Sequence, residues 1–250
     1  MFLVQNTNSF ECRTIVKHCL LNDIPLVRSD ISTLARHRDF LTEGHCTPVG
    51  SVEFIRTIFR ILGINEPVPF TYPSELTRFL HRNVSCITSG DLELHTDVFC
   101  KPDKTKLFSG FIYDKNKTPG AYENEQLGIL KTIPETEKIW ISDIVNWSSE
   151  FRYYIQNDNI LGYGRYDQQE TENAPIPDIS IVVEMIHGFG RDHNYTLDVG
   201  VLSTGETALV ECNDAWAIGL YGNALTSAQY ADFLGRRWLQ IISKSATIYS

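Results

Sequence analysis

The chain has 250 residues, 42% of them apolar and 21% charged, which fits one large domain or two lobes and excludes a disordered polymer. A chain of this length buries roughly 70–75% of its unfolded surface, so neither a metal nor a disulfide is needed to hold the core. Lys plus Arg number 22 against 31 Asp plus Glu, a net charge of −9. A field of that sign repels phosphate backbones and anionic lipid, which argues against general nucleic-acid or membrane binding.

The cysteines at 12, 19, 46, 86, 100 and 212 include no C-x-x-C pair, so free thiols in a reducing cytoplasm are expected. The opening Met1-Phe2-Leu3-Val4 is too short an apolar run for a signal peptide, and no stretch approaches roughly eighteen apolar residues. A soluble cytoplasmic protein without a membrane span is the expectation.

In chain order, Asn8 followed by Glu11 predicts a helix start, with Ile15, Cys19 and Leu20 as its buried stripe. Ser51 is placed to cap a second helix through Val52, Ile55, Ile58, Phe59 and Leu62, ending at Gly63. Pro73 opens a short helix through Leu76, Phe79 and Leu80. From about residue 95 the pattern changes to short β-type runs: 98–101, 107–113, 138–142, 151–155 and 160–166, with a turn at Asn157-Asp158-Asn159. Residues 178–188 fit strand or helix. The spacing of Ile179, Val182, Val183 and Ile186 favours helix, stopped by Gly188. A last helix follows the Thr226–Gln229 capping box, with Tyr230, Phe233, Leu234, Trp238 and Ile241 facing inward.

The most informative segment is the hairpin of 195–202 and 207–214, joined by Ser203-Thr-Gly-Glu206. If Leu202 pairs with Thr207, Asp198 falls opposite Glu211 and Thr196 opposite Asn213. Alternation then sends Leu197, Val199, Val201, Ala208, Val210 and Cys212 to an apolar face, and the carboxylates to a polar one. Carboxylates so placed sit about 5 Å apart at Cβ and repel each other. A hard divalent cation between them, with Asn213 adding a neutral oxygen, relieves that repulsion. A water-covered polar face is the plainer reading of the hairpin alone. On either reading, removing one charge there is expected to leave the fold intact. Gly200 leaves space above the pair.

Lys101 and Lys106 flank a turn containing Pro102, where two ammonium groups can face one phosphate. Arg152 shares a strand face with Glu150 and Tyr154, and Arg165 on the next strand can pair with Glu150. By spacing alone, a solvated basic turn is the better reading of the lysines, and a plain cross-strand ion pair accounts for Arg165 with Glu150.

Taken together, the ordered motifs Pro48-Val-Gly-Ser-Val-Glu-Phe, Lys101-Pro with Lys106, Trp140-Ile-Ser-Asp, Ser149-Glu-Phe-Arg, Gly162-Tyr-Gly-Arg-Tyr, Tyr195-Thr-Leu-Asp-Val-Gly-Val and Glu211-Cys-Asn-Asp resemble the ATP-grasp superfamily. The resemblance is to its divergent clade named for one arginine and two lysines, which includes a eukaryotic assembly protein for translation initiation factor two. It implies an α+β fold (mixed α/β) with ATP between two lobes, preceded by a small α/β region. The implied division is 1–95 for that region, 96–142 for the small lobe and 143–250 for the C-terminal lobe. It further implies that Lys101 and Lys106 hold phosphates and that Trp140, Ile141, Ser142 and Asp143 form the hinge against adenine. Asp198, Glu211 and Asn213 would hold Mg²⁺, and Arg152 would steady charge on the transferring phosphoryl group, with Lys106 assisting. The implied reaction is ATP-dependent ligation of a carboxylate to an amine, on a peptide, a protein or a small molecule. The alternatives are an assembly factor that binds ATP without turning it over, and a scaffold that binds a partner and no nucleotide.

Other motifs carry less. His45-Cys46 lacks an evident catalytic partner. Gly188-Phe-Gly-Arg-Asp-His193 fits no phosphate-loop pattern; a surface turn is its plainer reading, with His187, Arg191 and His193 as substrate contacts to consider. Trp216 and Tyr221 suit either an acceptor pocket or the core.

Overall fold

The computed structural model describes residues 1–42, 46–167 and 173–246, with side chains described to residue 243. The N-terminal region holds β1 (Phe2–Gln5), α1 (Phe10–Leu21), β2 (Leu26–Ser29), α2 (Arg38–Thr42), β3 (Thr47–Val49) and α3 (Val52–Leu62). Its sheet is parallel, in the order β2-β1-β3. The short apolar opening run is thus a central strand buried on both faces. Phe2 and Val4 pack with Cys12, Ile15 and Cys19 of α1, while Leu3 turns to Phe54, Ile55 and Ile58 of α3. Ser9, not Asn8, caps α1 by accepting from the Cys12 N–H at 3.2 Å. The inward positions are Cys12, Ile15 and Cys19, and Leu20 stays 69% exposed. Ser51 caps α3 as expected, and Gly63 closes it at φ 68°.

The middle region contributes β4 (Val84–Thr88), β5 (Val98–Pro102), β6 (Phe111–Tyr113), α4 (Ala121–Leu130) and β7 (Lys138–Asp143). These strands form an antiparallel sheet, β4-β7-β5-β6, so β4 joins across residue 95. One face carries Cys100, Phe111, Ile139 and Ile141 against Leu127 and Leu130 of α4. The strand expected at 107–113 begins only at Phe111. Phe108 is buried, the Ser109 N–H bonds Gln126 of α4 at 2.8 Å, and Arg56 of α3 donates to the Thr105 carbonyl at 2.6 Å. These anchors make 103–110 a loop, with Lys106 at φ 60°.

The C-terminal region contains β8 (Trp147–Gln156), β9 (Asn159–Arg165), α5 (Ile179–Phe189), β10 (Tyr195–Leu202), β11 (Thr207–Asp214) and α6 (Ser227–Ala246). The strands form a second antiparallel sheet, β11-β10-β8-β9. Asn157 and Asp158, at φ 50° and 57°, make the tight turn between β8 and β9. Residues 179–189 are helical, but Val182, Met185, Ile186 and Phe189 form the buried stripe and Gly190 is the cap. That stripe covers Tyr153, Tyr195, Leu197 and Leu209 on one face of the sheet. The opposite face, carrying Arg152 and Asp198, is left for the site. α6 begins at the expected box, in which the Gln229 N–H donates to Thr226 Oγ1 at 3.2 Å, and it packs on the N-terminal sheet.

Gly162 and Gly164 of β9 lie against the 221–224 loop. A methyl at Gly162 would stand 1.9 Å from the Ala224 carbonyl oxygen, and one at Gly164 would stand 2.4 Å from that of Tyr221. Gly162→Ala should therefore cost about 1–3 kcal/mol through overpacking. Gly128→Ala in α4, where nothing lies within 4 Å of the added methyl, should gain about 0.5–1 kcal/mol. Chemical denaturation of the two variants beside the parent protein checks both signs.

Candidate functional site

The hairpin of β10 and β11 sets Asp198 opposite Glu211 and Thr196 opposite Asn213. The loop reaches that register by a different route from the one expected. Thr207 pairs with Val201, not Leu202, and an irregularity at Asp198/Val199 inserts Val210 as an unpaired residue. The bulge restores the pairing at the carboxylates and changes the faces before it. Leu209 enters the core with Leu197, Val199 and Cys212, and Val210 lines a cavity.

The carboxylate face is not covered by water. Asp198 is only 1% exposed and Arg152 7%. Arg152 lies opposite Asp198 on β8 and grips it in a two-pronged pair, Nε to Oδ1 at 2.7 Å and Nη2 to Oδ2 at 2.6 Å. Glu211 pairs with the Lys101 ammonium, which arrives from β5 of the other sheet. Asn213 donates to Glu211 Oε1 at 2.8 Å and to Asp198 Oδ2 at 3.3 Å. Two carboxylates are thus balanced by two cations, each cation from a different sheet.

The titration behaviour follows from this arrangement. Burial alone would raise the Glu211 carboxyl, but Lys101 and Asn213 overcome it and hold the group at about 2. Burial lowers the Lys101 ammonium, yet Glu211 and Tyr72 leave it above its ordinary value. Asp198 is lifted by burial, and Arg152 opposes the lift.

Two cavities meet here. One, of about 520 Å³, lies between the middle and C-terminal sheets; the other, of about 690 Å³, reaches the starts of α1 and α3. Thr105, Lys106, Arg152, Glu211, Asn213 and Tyr221 border both. Lys106 occupies this shared wall from the loop, not from the start of a strand. Of the four residues expected at the hinge, two line a cavity and two do not. β7 is a central strand, so the backbone groups of Trp140 and Ile141 are committed to β4 and β5 on either side. Ile141 faces α4, and Trp140 donates to Asp103 at 2.7 Å behind Tyr72. Ser142 and Asp143 do line the smaller cavity, followed by Ile144, Val145 and Trp147.

Several lining residues escaped the sequence reading. Tyr72 lies on a strap rich in proline, and the Thr71 carbonyl accepts from the Cys212 N–H at 2.9 Å. Arg82 donates to the carbonyls of Leu209 and Val210 at 2.8 and 2.9 Å, closing the free edge of β11. Glu150 accepts from the Tyr166 hydroxyl at 2.8 Å, and Arg165 pairs with Asp167 instead. The space above Gly200 is filled by the Trp147 ring. Asp214 holds Arg237 of α6 at 2.6 Å. Only the proline content of the strap is a signal that sequence could have offered.

The lesser motifs resolve simply. Tyr221 borders both cavities with Arg152 5.0 Å over its ring, and Trp216 lines the larger one while packing on Phe59. His187, Arg191 and His193 line neither cavity. Cys46 is buried, which pushes its thiol up to about 12, and His45 lies outside the described residues. Among the described residues, no helix is long and apolar enough to cross a membrane.

A sequence profile of the ATP-grasp domain, family 2 of the clade named for one arginine and two lysines, matches residues 79–233, well over half of the chain. The chain belongs to that ATP-grasp family. No curated protein matches it by sequence. Among solved structures, the ATP-grasp fold aligns with ATP-grasp ligase PsnB complexed with minimal precursor at TM-score 0.53 and 9% identity, covering 94% of this chain and 98% of that one. PsnB with a phosphomimetic variant of that precursor, Mg and ADP gives 0.54 and 11%, over 95% and 97%. N5-carboxyaminoimidazole synthetase from Staphylococcus aureus gives 0.51 and 9%, over 89% and 71%. At such identities the likeness is one of fold.

Two expectations follow from the charge pairs. Asp198→Asn leaves a buried guanidinium without its counter-ion and should destabilise the protein by about 3–5 kcal/mol, against the intact fold expected from a solvated face; urea unfolding measures it. Because Glu211 titrates lower folded than its unfolded value of about 4.3, its contribution is complete above that pH. It is lost as pH falls toward about 2. The stability–pH profile of Glu211→Gln should lack that acid-side fall.

Proposed function

We propose that this ATP-grasp protein binds Mg-ATP in the smaller cavity and uses it to join a carboxylate to an amine, on a peptide or protein reached through the larger one. The observation that carries this reading is that Arg152 and Glu211 border both cavities while their partners Asp198 and Lys101 line the smaller one. One cavity suits a nucleotide, and the other opens to whatever must meet its γ-phosphate.

Lys101 and Lys106 are assigned the phosphates. Ser142 and Asp143, the last residues of β7 and still paired with its neighbours, border the adenine end, and beyond them Ile144 and Val145 lie where β7 has left its sheet. The donor chemistry fits Mg²⁺: Asp198, Glu211 and Asn213 bring hard oxygens to one place, their charge now balanced by cations. A bound Mg²⁺ would neutralise phosphate charge during transfer. The substrate carboxylate forms a bond to the γ-phosphorus as the bond to the β-phosphate oxygen breaks, releasing ADP. The amine then forms the C–N bond to the acyl phosphate and phosphate leaves. Arg152, held by Asp198 and flanked by Tyr166 and Tyr221, is positioned to steady negative charge in both steps. No side-chain nucleophile is required. The protein's work is positioning and charge balance. Six free cysteines, five of them buried, are consistent with a reducing, cytoplasmic setting.

The test supplies Mg-ATP, hydroxylamine and a mixture of peptides bearing carboxyl side chains, and follows ADP and hydroxamate. Hydroxamate that needs ATP, Mg²⁺ and the peptides supports ligation; ATP bound with no ADP formed favours the assembly-factor reading. In the same assay Lys101→Ala should lower turnover by about a hundredfold or more, the scale of losing one electrostatic stabiliser.

A further inference from the structure

We infer that the groove between α1 and the edge of β2 docks an acidic, leucine-bearing polypeptide segment whose continuation enters the 690 Å³ cavity. This deepens the ligase reading and rests on it: one polypeptide would be anchored outside and modified inside.

The groove measures about 350 Å³ and is lined by Arg13, Val16, Lys17, Leu20, Leu21 and Arg28, with Thr7 at one end. Thr7 also lines the larger cavity, which Arg152 and Glu211 border, so the two spaces are neighbours at that residue. Leu20 and Leu21 are 69% and 72% exposed on a helix whose inward positions are already filled by Cys12, Ile15 and Cys19. Burial in a partner accounts for two leucines side by side in water better than folding does.

Charge selects the partner. In a chain of net charge −9, Arg13, Lys17 and Arg28 gather on this one groove, and among the described residues no carboxylate pairs with any of them. Cations around an apolar trough complement carboxylates flanking leucine or isoleucine. Among the described residues β2 pairs only with β1, so its outer edge can also bond an extended backbone. An anionic bilayer shares the charge preference, but the recess, its place beside the larger cavity at Thr7 and the overall negative field favour a peptide.

The experiment pans a random decapeptide phage library on the full chain, then measures the enriched peptide by fluorescence anisotropy. The expected consensus combines Asp or Glu with Leu or Ile. Lys17→Glu and Leu20→Asp, both at exposed positions, should each weaken the peptide by about tenfold or more, and added salt should weaken it further. Circular dichroism confirms that the variants fold. No enrichment, a consensus without acidic residues, or binding unmoved by both substitutions would overturn the proposal. Capture by phosphatidylserine vesicles in place of peptides overturns it in favour of a membrane, and a dimer abolished by Leu20→Asp in sedimentation overturns it in favour of a second copy. ATP titration on the same variants keeps the two readings apart. Peptide binding with no ATP binding would leave the docking site and remove the ligase; the converse would leave the nucleotide site and remove the docking site.

Discussion

Two carboxylates face each other across a hairpin, and the rest of the site is arranged around their repulsion. Asp198 and Glu211 occupy directly opposed positions, which costs free energy unless positive charge is supplied. Arg152 supplies it from the neighbouring strand, and Lys101 supplies it from the other sheet. The second pair joins the middle sheet to the C-terminal one through its charges. A ligand that competes for Glu211 or Lys101 therefore acts on how the two sheets meet as well as on local charge.

The geometry depends on backbone detail. The bulge at Val210 brings the carboxylates into register and turns Leu209 inward to seal the core beneath them. Arg82 then occupies the carbonyls that this edge strand would otherwise expose. On β9, Gly162 and Gly164 let the 221–224 loop approach closely, close to Tyr221 beside Arg152. Core packing, edge protection and loop approach all serve one small charged surface.

Much of this is legible in the sequence, and the limits have physical causes. Period-two alternation and a glycine-containing loop point to the opposed carboxylates, but the register is right only because the bulge at Val210, which no local pattern reveals, offsets a one-residue difference at the loop. Caps at Ser51 and Thr226 are local. Alternation names a face but not what covers it, so the burial of Asp198 under Arg152 was invisible, and with it the cost of removing its charge. Trp140 and Ile141 read as a hinge until β4 and β5 pair on both sides of β7, a long-range fact. The brief run Phe2–Gln5 gives no sign that two parallel partners make it a central strand. Leu20 directly follows the inward-facing Cys19, and with Cys12, Ile15 and Cys19 set against the sheet it turns to solvent.

On the proposed reading, the paired charges at Asp198, Glu211, Lys101 and Arg152 form a seat for Mg-ATP. Calorimetric titration of ATP into the purified protein, with and without Mg²⁺, tests it most directly. Saturable binding that requires the metal is the predicted result. No heat of binding at millimolar ATP, or binding indifferent to Mg²⁺, would contradict it.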